Sequence, residues 1–294
     1  AAWNNSVAVG SDEPAALEQS EPWSIQGRFN HYRFDMNRDL LAWSQPETRA
    51  VAGAVVRWHP QVFVDLHSTT DQYHFPPAAL PINANLPASS AAWLERFGRG
   101  NGEAFDGFGW QYFVRDVFDL FYPGYWDSWT SLTGATGMTF ETDGGPEIRI
   151  RKSDGTVMTF ASGIAHHFVA SMATLQTLAA GREERLHDYY AFRQSGMEET
   201  RSGAMRRVVF TTGADPARAL QVARLLARQD IEVVQTSQPL TSPTAHGYLG
   251  GAAGRRTFPA GSYVVDVNQP QARLIRAILE LQPTLDSGFA QRQI

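Results

Sequence analysis

The chain has 294 residues, 43% hydrophobic and 19% charged, with 25 Lys plus Arg against 30 Asp plus Glu and a formal net charge of -5. That balance suits a folded globular protein of one large domain, or of a large and a small one. It is not basic enough to point to nucleic acid, has no charge run suggesting a membrane surface, and has no apolar run near the ~20 residues that span a bilayer. With no cysteine, disulfides and thiolate metal ligands are ruled out, leaving His and carboxylate sites.

No strong helix or strand precedes Asp35, and residues 9–22, rich in Gly, Ser, Glu and Pro, read as a loop. Pro46 and Glu47 open a helix predicted over 45–58, with Val51, Ala54, Val55 and Trp58 as its apolar stripe and Pro60 as its stop. A buried strand follows over 62–66, and a helix feeding a buried strand is the α/β pattern. Residues 76–90 read as a loop, and 90–105 as a helix weakened by Gly98, Gly100 and Gly102. The stretch 118–129 is aromatic around a Pro123-Gly124 turn, and 135–140 is a short strand ending at Glu141.

A long helix is expected over 156–193, its apolar positions Ile164, Phe168, Met172 and Leu175 recurring every three or four residues. His166 and His167 are neighbours on it. Neighbouring helix residues point about 100° apart, so the pair is expected to be structural and not to share a metal. Composition then resets near Ser202. A strand over 205–212, a helix over 215–228, a strand over 231–235, a loop over 237–256, a strand over 262–267 and a helix over 270–281 make a small α/β unit. The chain therefore divides into 1–202 and 203–294.

Three stretches carry chemistry. Phe63-Val64-Asp65-Leu66-His67 puts an imidazole at the C-terminal end of a buried strand, where open α/β sheets hold their ligands. Asp35-Met36-Asn37-Arg38-Asp39 sets an amide beside a guanidinium, whose planar fork bonds both oxygens of a carboxylate. Thr139-Phe140-Glu141 ends an apolar strand in a carboxylate. Each also has a plain structural reading: His67 as a strand cap, Arg38 paired with Asp35 or Asp39, Glu141 capping a turn with Gly144, Tyr122 and Trp126 as core.

Together the three stretches, in this order, resemble the zinc carboxypeptidases related to carboxypeptidase A over roughly residues 24–200. Tyr122-Pro123-Gly124-Tyr125, Asp127-Ser128-Trp129 and Pro259-Ala260-Gly261-Ser262-Tyr263 resemble a branch of large bacterial multi-domain members. The resemblance implies an α/β carboxypeptidase-like domain with a mixed sheet over 1–202, and a zinc cofactor bound in part by His67. It implies that Asn37 and Arg38 grip the terminal carboxylate of a peptide or protein substrate, and that Glu141 is the general base. Arg28, with Arg33 as its rival, would polarise the scissile carbonyl. Tyr122 or Tyr125 would close over the substrate, and Trp126 would line the pocket for the terminal side chain. Secretion or a periplasmic location is the family-level expectation.

The family's other two zinc ligands come from an H-x-x-E motif, and none of the eight histidines here has a Glu three positions on. The reading that follows is of a chain lacking the N-terminal side of its catalytic domain, inactive alone, whose parent is a zinc carboxypeptidase. The alternatives are a peptide-binding module without catalysis, and an amidase or deacylase of N-acyl amino acids or peptidoglycan stem peptides on the same fold.

Overall fold

The computed structural model of the chain describes residues 29–30, 32–143 and 149–293. A 3-10 turn over Met36–Arg38 begins where the Asp35 carboxylate accepts the Asn37 amide at 2.9 Å. Helix α1 (Pro46–Trp58) starts on a proline, whose missing N–H costs nothing in a first turn. There follow β1 (Val62–Thr70), β2 (Tyr73–His74), β3 (Ala79–Ile82), α2 (Ala88–Phe108), β4 (Tyr112–Phe113), β5 (Asp119–Leu120), α3 (Trp126–Leu132) and β6 (Thr136–Asp143). Next come β7 (Arg149–Arg151), β8 (Val157–Thr159), α4 (Phe160–Ala180) and α5 (Arg182–Thr200). The remainder is β9 (Arg207–Phe210), α6 (Pro216–Arg228), β10 (Val234–Gln235), β11 (Leu240–Gly247), β12 (Gly250–Phe258), β13 (Tyr263–Asp266), α7 (Ala272–Leu279) and α8 (Ser287–Gln293). The fold is mixed α/β, and among the described residues no helix is long and apolar enough to cross a membrane.

The main sheet has the strand order β1-β6-β2-β4. β1 and β6 run parallel, with Asp65 opposite Thr139 and His67 opposite Glu141. β2 joins β6 antiparallel, with His74 opposite Glu141, and β4 runs parallel to β2. Side chains alternate between faces, so the two faces differ in character. Val62, Val64, Met138 and Phe140 belong to the apolar cluster that holds Phe97 and Phe105 of α2. Phe63, Asp65, His67, Gly137, Thr139 and Glu141 share the opposite face.

That opposite face lies against α3. Phe63 stacks on Trp126 at 5.7 Å between ring centres. Gly137 makes the approach possible, because a Cβ there would sit 2.0 Å from the Asp127 carbonyl oxygen. Trp129, fully buried in α3, packs edge-on against Trp43 at 5.6 Å and donates its indole N–H to Gln229 Oε1 at 3.0 Å. The same apolar cluster contains Leu40 and Ala52 with Val265, Leu274 and Ile275 of the C-terminal stretch. The three-stranded sheet β10-β13-β9 and α7 thus share one core with α1 and α3.

Several expected elements come out differently. The long helix expected over 156–193 is β8, then α4, then α5, with the break at Gly181. Thr159 caps α4 by accepting the Ser162 amide at 3.1 Å. A Cβ on Gly181 would sit 2.7 Å from the Arg96 guanidinium. The expected stripe of α4 points outward: Ile164, Phe168, Met172 and Leu175 are exposed, whereas Gly163, His166, Ala170, Ala173 and Thr174 are buried. Small residues let α4 approach α2 closely, where Asn101 Nδ2 donates to Thr174 Oγ1 at 3.2 Å. In α1 the buried residues are Thr48, Ala52 and Val55, while Val51 and Trp58 are exposed. The expected loop over 237–256 is largely the β11–β12 hairpin.

Candidate active site

Asn37 and Arg38 are held from two sides. Upstream, buried Asn30 accepts the Tyr32 and Phe34 amides at 3.0 and 3.1 Å and donates to Gln45 Oε1 at 2.7 Å. Downstream, the Asp39 carboxylate accepts from the Ser44 amide and hydroxyl and from the Gln45 amide, at 2.6–3.0 Å. The Arg38 guanidinium lies 4.3 Å from the centre of the Tyr125 ring, a favourable cation–π position. Asn37 Oδ1 accepts the Trp126 amide at 3.4 Å. The 3-10 turn is thereby fastened to the start of α3.

From α3 the connection runs to the sheet. Burial pushes the Asp127 carboxyl up to about 6, against the hydrogen bonds that favour its ionised form. Those bonds come from Thr139 Oγ1 at 2.8 Å and the Ser128 amide at 2.7 Å. Thr139 is opposite Asp65 on β1, and Asp65 Oδ2 lies 2.7 Å from His67 Nε2. Glu141, 5% exposed, is opposite His67. Asn37, Arg38, Tyr125, Trp126, His67 and Glu141 therefore lie along one connected wall.

The back of this wall is braced. His167 Nε2 donates to the His67 carbonyl at 3.0 Å, while the Tyr73 hydroxyl donates to His167 Nδ1 at 2.8 Å. Burial keeps both groups neutral, pushing the imidazole pKa down and the phenol pKa up. Beyond Glu141, Asp143 bonds His166 Nδ1 at 2.7 Å and Lys152 Nζ at 3.0 Å. Burial alone would raise the Asp143 carboxyl, but these two partners hold it below the ordinary carboxylate range. His166 and His167 thus have the structural partners expected of them. His74, on the other side of Glu141 in the sheet, packs against the rings of both Phe113 and Phe118, at 4.9 and 4.7 Å between ring centres. Burial pushes it down to about 4.

The remaining expected residues are less closely engaged. Tyr122 is partly exposed and packs edge-on to Tyr125 at 5.1 Å. Arg33 is exposed, at positive φ of 65°, in a turn where its amide donates to the Asn30 carbonyl. Arg28 lies outside the described residues, as does Gly144. Asp127, Thr139, His167 and Tyr73 carry no site role in the motifs. For Thr139 the signal was present, since residues two apart on a strand share a face with Glu141.

A catalytic zinc takes three protein ligands. His67 and Asp65 offer an imidazole and a carboxylate, and among the described residues no group of three or more His, Asp or Glu stands where it could hold a metal ion. The described residues do not by themselves complete such a set. Compared with protein-family models, with curated proteins and with solved structures, the chain matches none.

Proposed function

We propose that the protein is a zinc-dependent carboxypeptidase, which removes the C-terminal residue of peptides, and that this chain carries its carboxylate grip and its general base. In this reading His67 contributes one zinc ligand and residues outside those described contribute the rest. The observation that carries it is the wall linking Asn37 and Arg38, through α3, to His67 and Glu141.

Arg38 gives the substrate's terminal carboxylate two parallel hydrogen bonds, and the Tyr125 ring orients its guanidinium for them. Asn37, whose oxygen is given to the Trp126 amide, offers its NH2 group to the same carboxylate. Trp126 and Tyr125 flank the terminal side chain. Glu141 takes a proton from water as its oxygen attacks the scissile carbonyl carbon. The C–N bond then breaks, and Glu141 passes the proton to the leaving amine.

A second reading, peptide binding without hydrolysis, is favoured by a donor set that is incomplete among the described residues. One experiment separates the readings. The full-length product of the gene is incubated with zinc and a panel of peptides bearing free or amidated C-termini. Hydrolysis of the free termini alone is expected. Binding without cleavage selects the second reading, and equal cleavage of both termini removes the carboxypeptidase in favour of an amidase.

A further inference from the structure

Helix α4 contains no Asp, Glu, Lys or Arg in its 21 residues. A helix uncharged on every side belongs inside a protein or an assembly. One flank meets that expectation: Gly163, Ala170, Ala173 and Thr174 are buried, and Ala170 packs in one cluster with Met138 and Phe140 of β6. The outer flank does not. Phe160, Ile164, Phe168 and Met172 recur every fourth residue, Leu175 follows in the next turn, and each of the five is between 40% and 65% exposed.

Side chains four apart on a helix form a ridge, and ridges of this kind seat in the grooves of a second helix at a crossing angle of about -50°. Beside the ridge runs the row that begins with Ala161 and Ala165, whose methyl groups rise little above the backbone. The outer flank of α4 thus carries both halves of a ridge-and-groove contact side by side. It carries no charge, so it can meet its own image without like-charge repulsion. The exposed parts of the five large side chains amount to on the order of 500 Å² of apolar surface, a size at which patches mark interaction sites. Two copies of the patch bury on the order of 1,000 Å² between them, the total that a specific interface needs.

We propose that this flank is the contact of a symmetric dimer and that its partner is a second copy of this chain. The two α4 helices cross near Phe168, the middle of the exposed line, about a twofold axis. In such a contact one patch serves both subunits and must complement itself. A ridge beside its own groove meets that demand in shape, and the absence of charge meets it electrostatically. A partner recognised by charge would find nothing on this flank to bind. α4 packs on the sheet face of Met138 and Phe140, away from the face that bears His67 and Glu141. The dimer therefore stands apart from the catalytic reading, and either can fail without the other.

Sedimentation and light scattering of the 294-residue chain test this, and a dimer is expected at micromolar concentration. Phe168→Asp changes an exposed side chain, so the circular dichroism of the fold should be kept. Its dissociation constant should rise at least about thirtyfold, as it does when a central hot spot is lost. Leu249→Asp, in the turn of the β11–β12 hairpin and 84% exposed, should leave the dimer intact. Because the chain has no cysteine, Phe168→Cys supplies a single thiol. A short bismaleimide should join two such chains, while Leu249→Cys chains stay unjoined. A monomer overturns the proposal and leaves the flank to a different partner. A dimer that Phe168→Asp does not weaken overturns it as well, as does one joined through Leu249→Cys and not through Phe168→Cys. None of these readouts uses zinc or hydrolysis.

Discussion

Glu141 of β6 stands directly across the parallel ladder from His67 of β1. The proposed chemistry depends on this pairing. Glu141→Gln keeps the shape of the side chain and removes its basicity. In the full-length protein kcat is expected to fall by about 10²–10⁴-fold, the usual contribution of a general base. KM and the thermal midpoint should change little. A loss of kcat smaller than tenfold would remove Glu141 from the role.

Arg38 is tested through the substrate's carboxylate. Hydrogen bonds to charged groups contribute about 1.5–3 kcal/mol, so Arg38→Ala should weaken binding of a free C-terminus about 10- to 100-fold. Binding of the matching amidated peptide should be nearly unaffected. Calorimetry on both peptides decides it, and an equal loss for the two would mean that Arg38 supports the fold of the site instead of gripping the carboxylate.

Asp127 and His74 set opposing pH dependences of stability. Asp127, raised from 3.8 to about 6, favours the fold while protonated. Its contribution is present below pH 3.8 and is lost as pH rises through about 6. His74, lowered from 6.5 to about 4, favours the fold while neutral. Its contribution is present above pH 6.5 and is lost as pH falls toward 4. Each amounts to about 3 kcal/mol at full extent, and the windows overlap, so these two groups nearly cancel between pH 4 and 6.5.

Single substitutions should uncover each group in turn. Asp127→Asn should leave a protein whose stability rises with pH across that window, and His74→Phe one whose stability falls. Denaturant unfolding at pH 4.5, 5.5 and 6.5 measures both. Parallel curves for the two variants would contradict the assignment.

Trp129 tests the common core. It fills space between Trp43 and the C-terminal stretch and holds Gln229. Trp129→Ala should cost about 3–5 kcal/mol, as large-to-small core changes do. Near-ultraviolet circular dichroism should show the α3 layer and the C-terminal sheet losing structure in one transition. Two separate transitions would mean that the shared cluster does not couple them.

What the sequence revealed follows the physics of each element. α1 and β1 were legible because Pro46 and Pro60 punctuate them and a β-branched run sits between polar ends. That Asp65 and His67 share a face was open to the same strand alternation but was not drawn from it. The outward line of α4 was not legible, because periodicity locates an apolar flank without saying what it meets. The true contact with α2 is made by glycine, alanine and threonine, which give almost no periodic signal. The β11–β12 hairpin was missed for a related reason. Most of its residues face solvent on both sides, so small and polar residues such as Thr241 and Thr257 replace the alternation that marks a half-buried strand. The brace behind His67 depends on residues 94 and 100 positions apart, a proximity that only the folded chain creates.

The absent side chain of Gly137 has a consequence for how this protein can change. With the backbones of α3 and β6 in direct contact, the helix bearing Trp126 cannot slide without carrying the strand that bears Glu141. Inherited variation that reshapes the surroundings of Trp126 while sparing Glu141 is therefore channelled into the short 121–125 connection between β5 and α3.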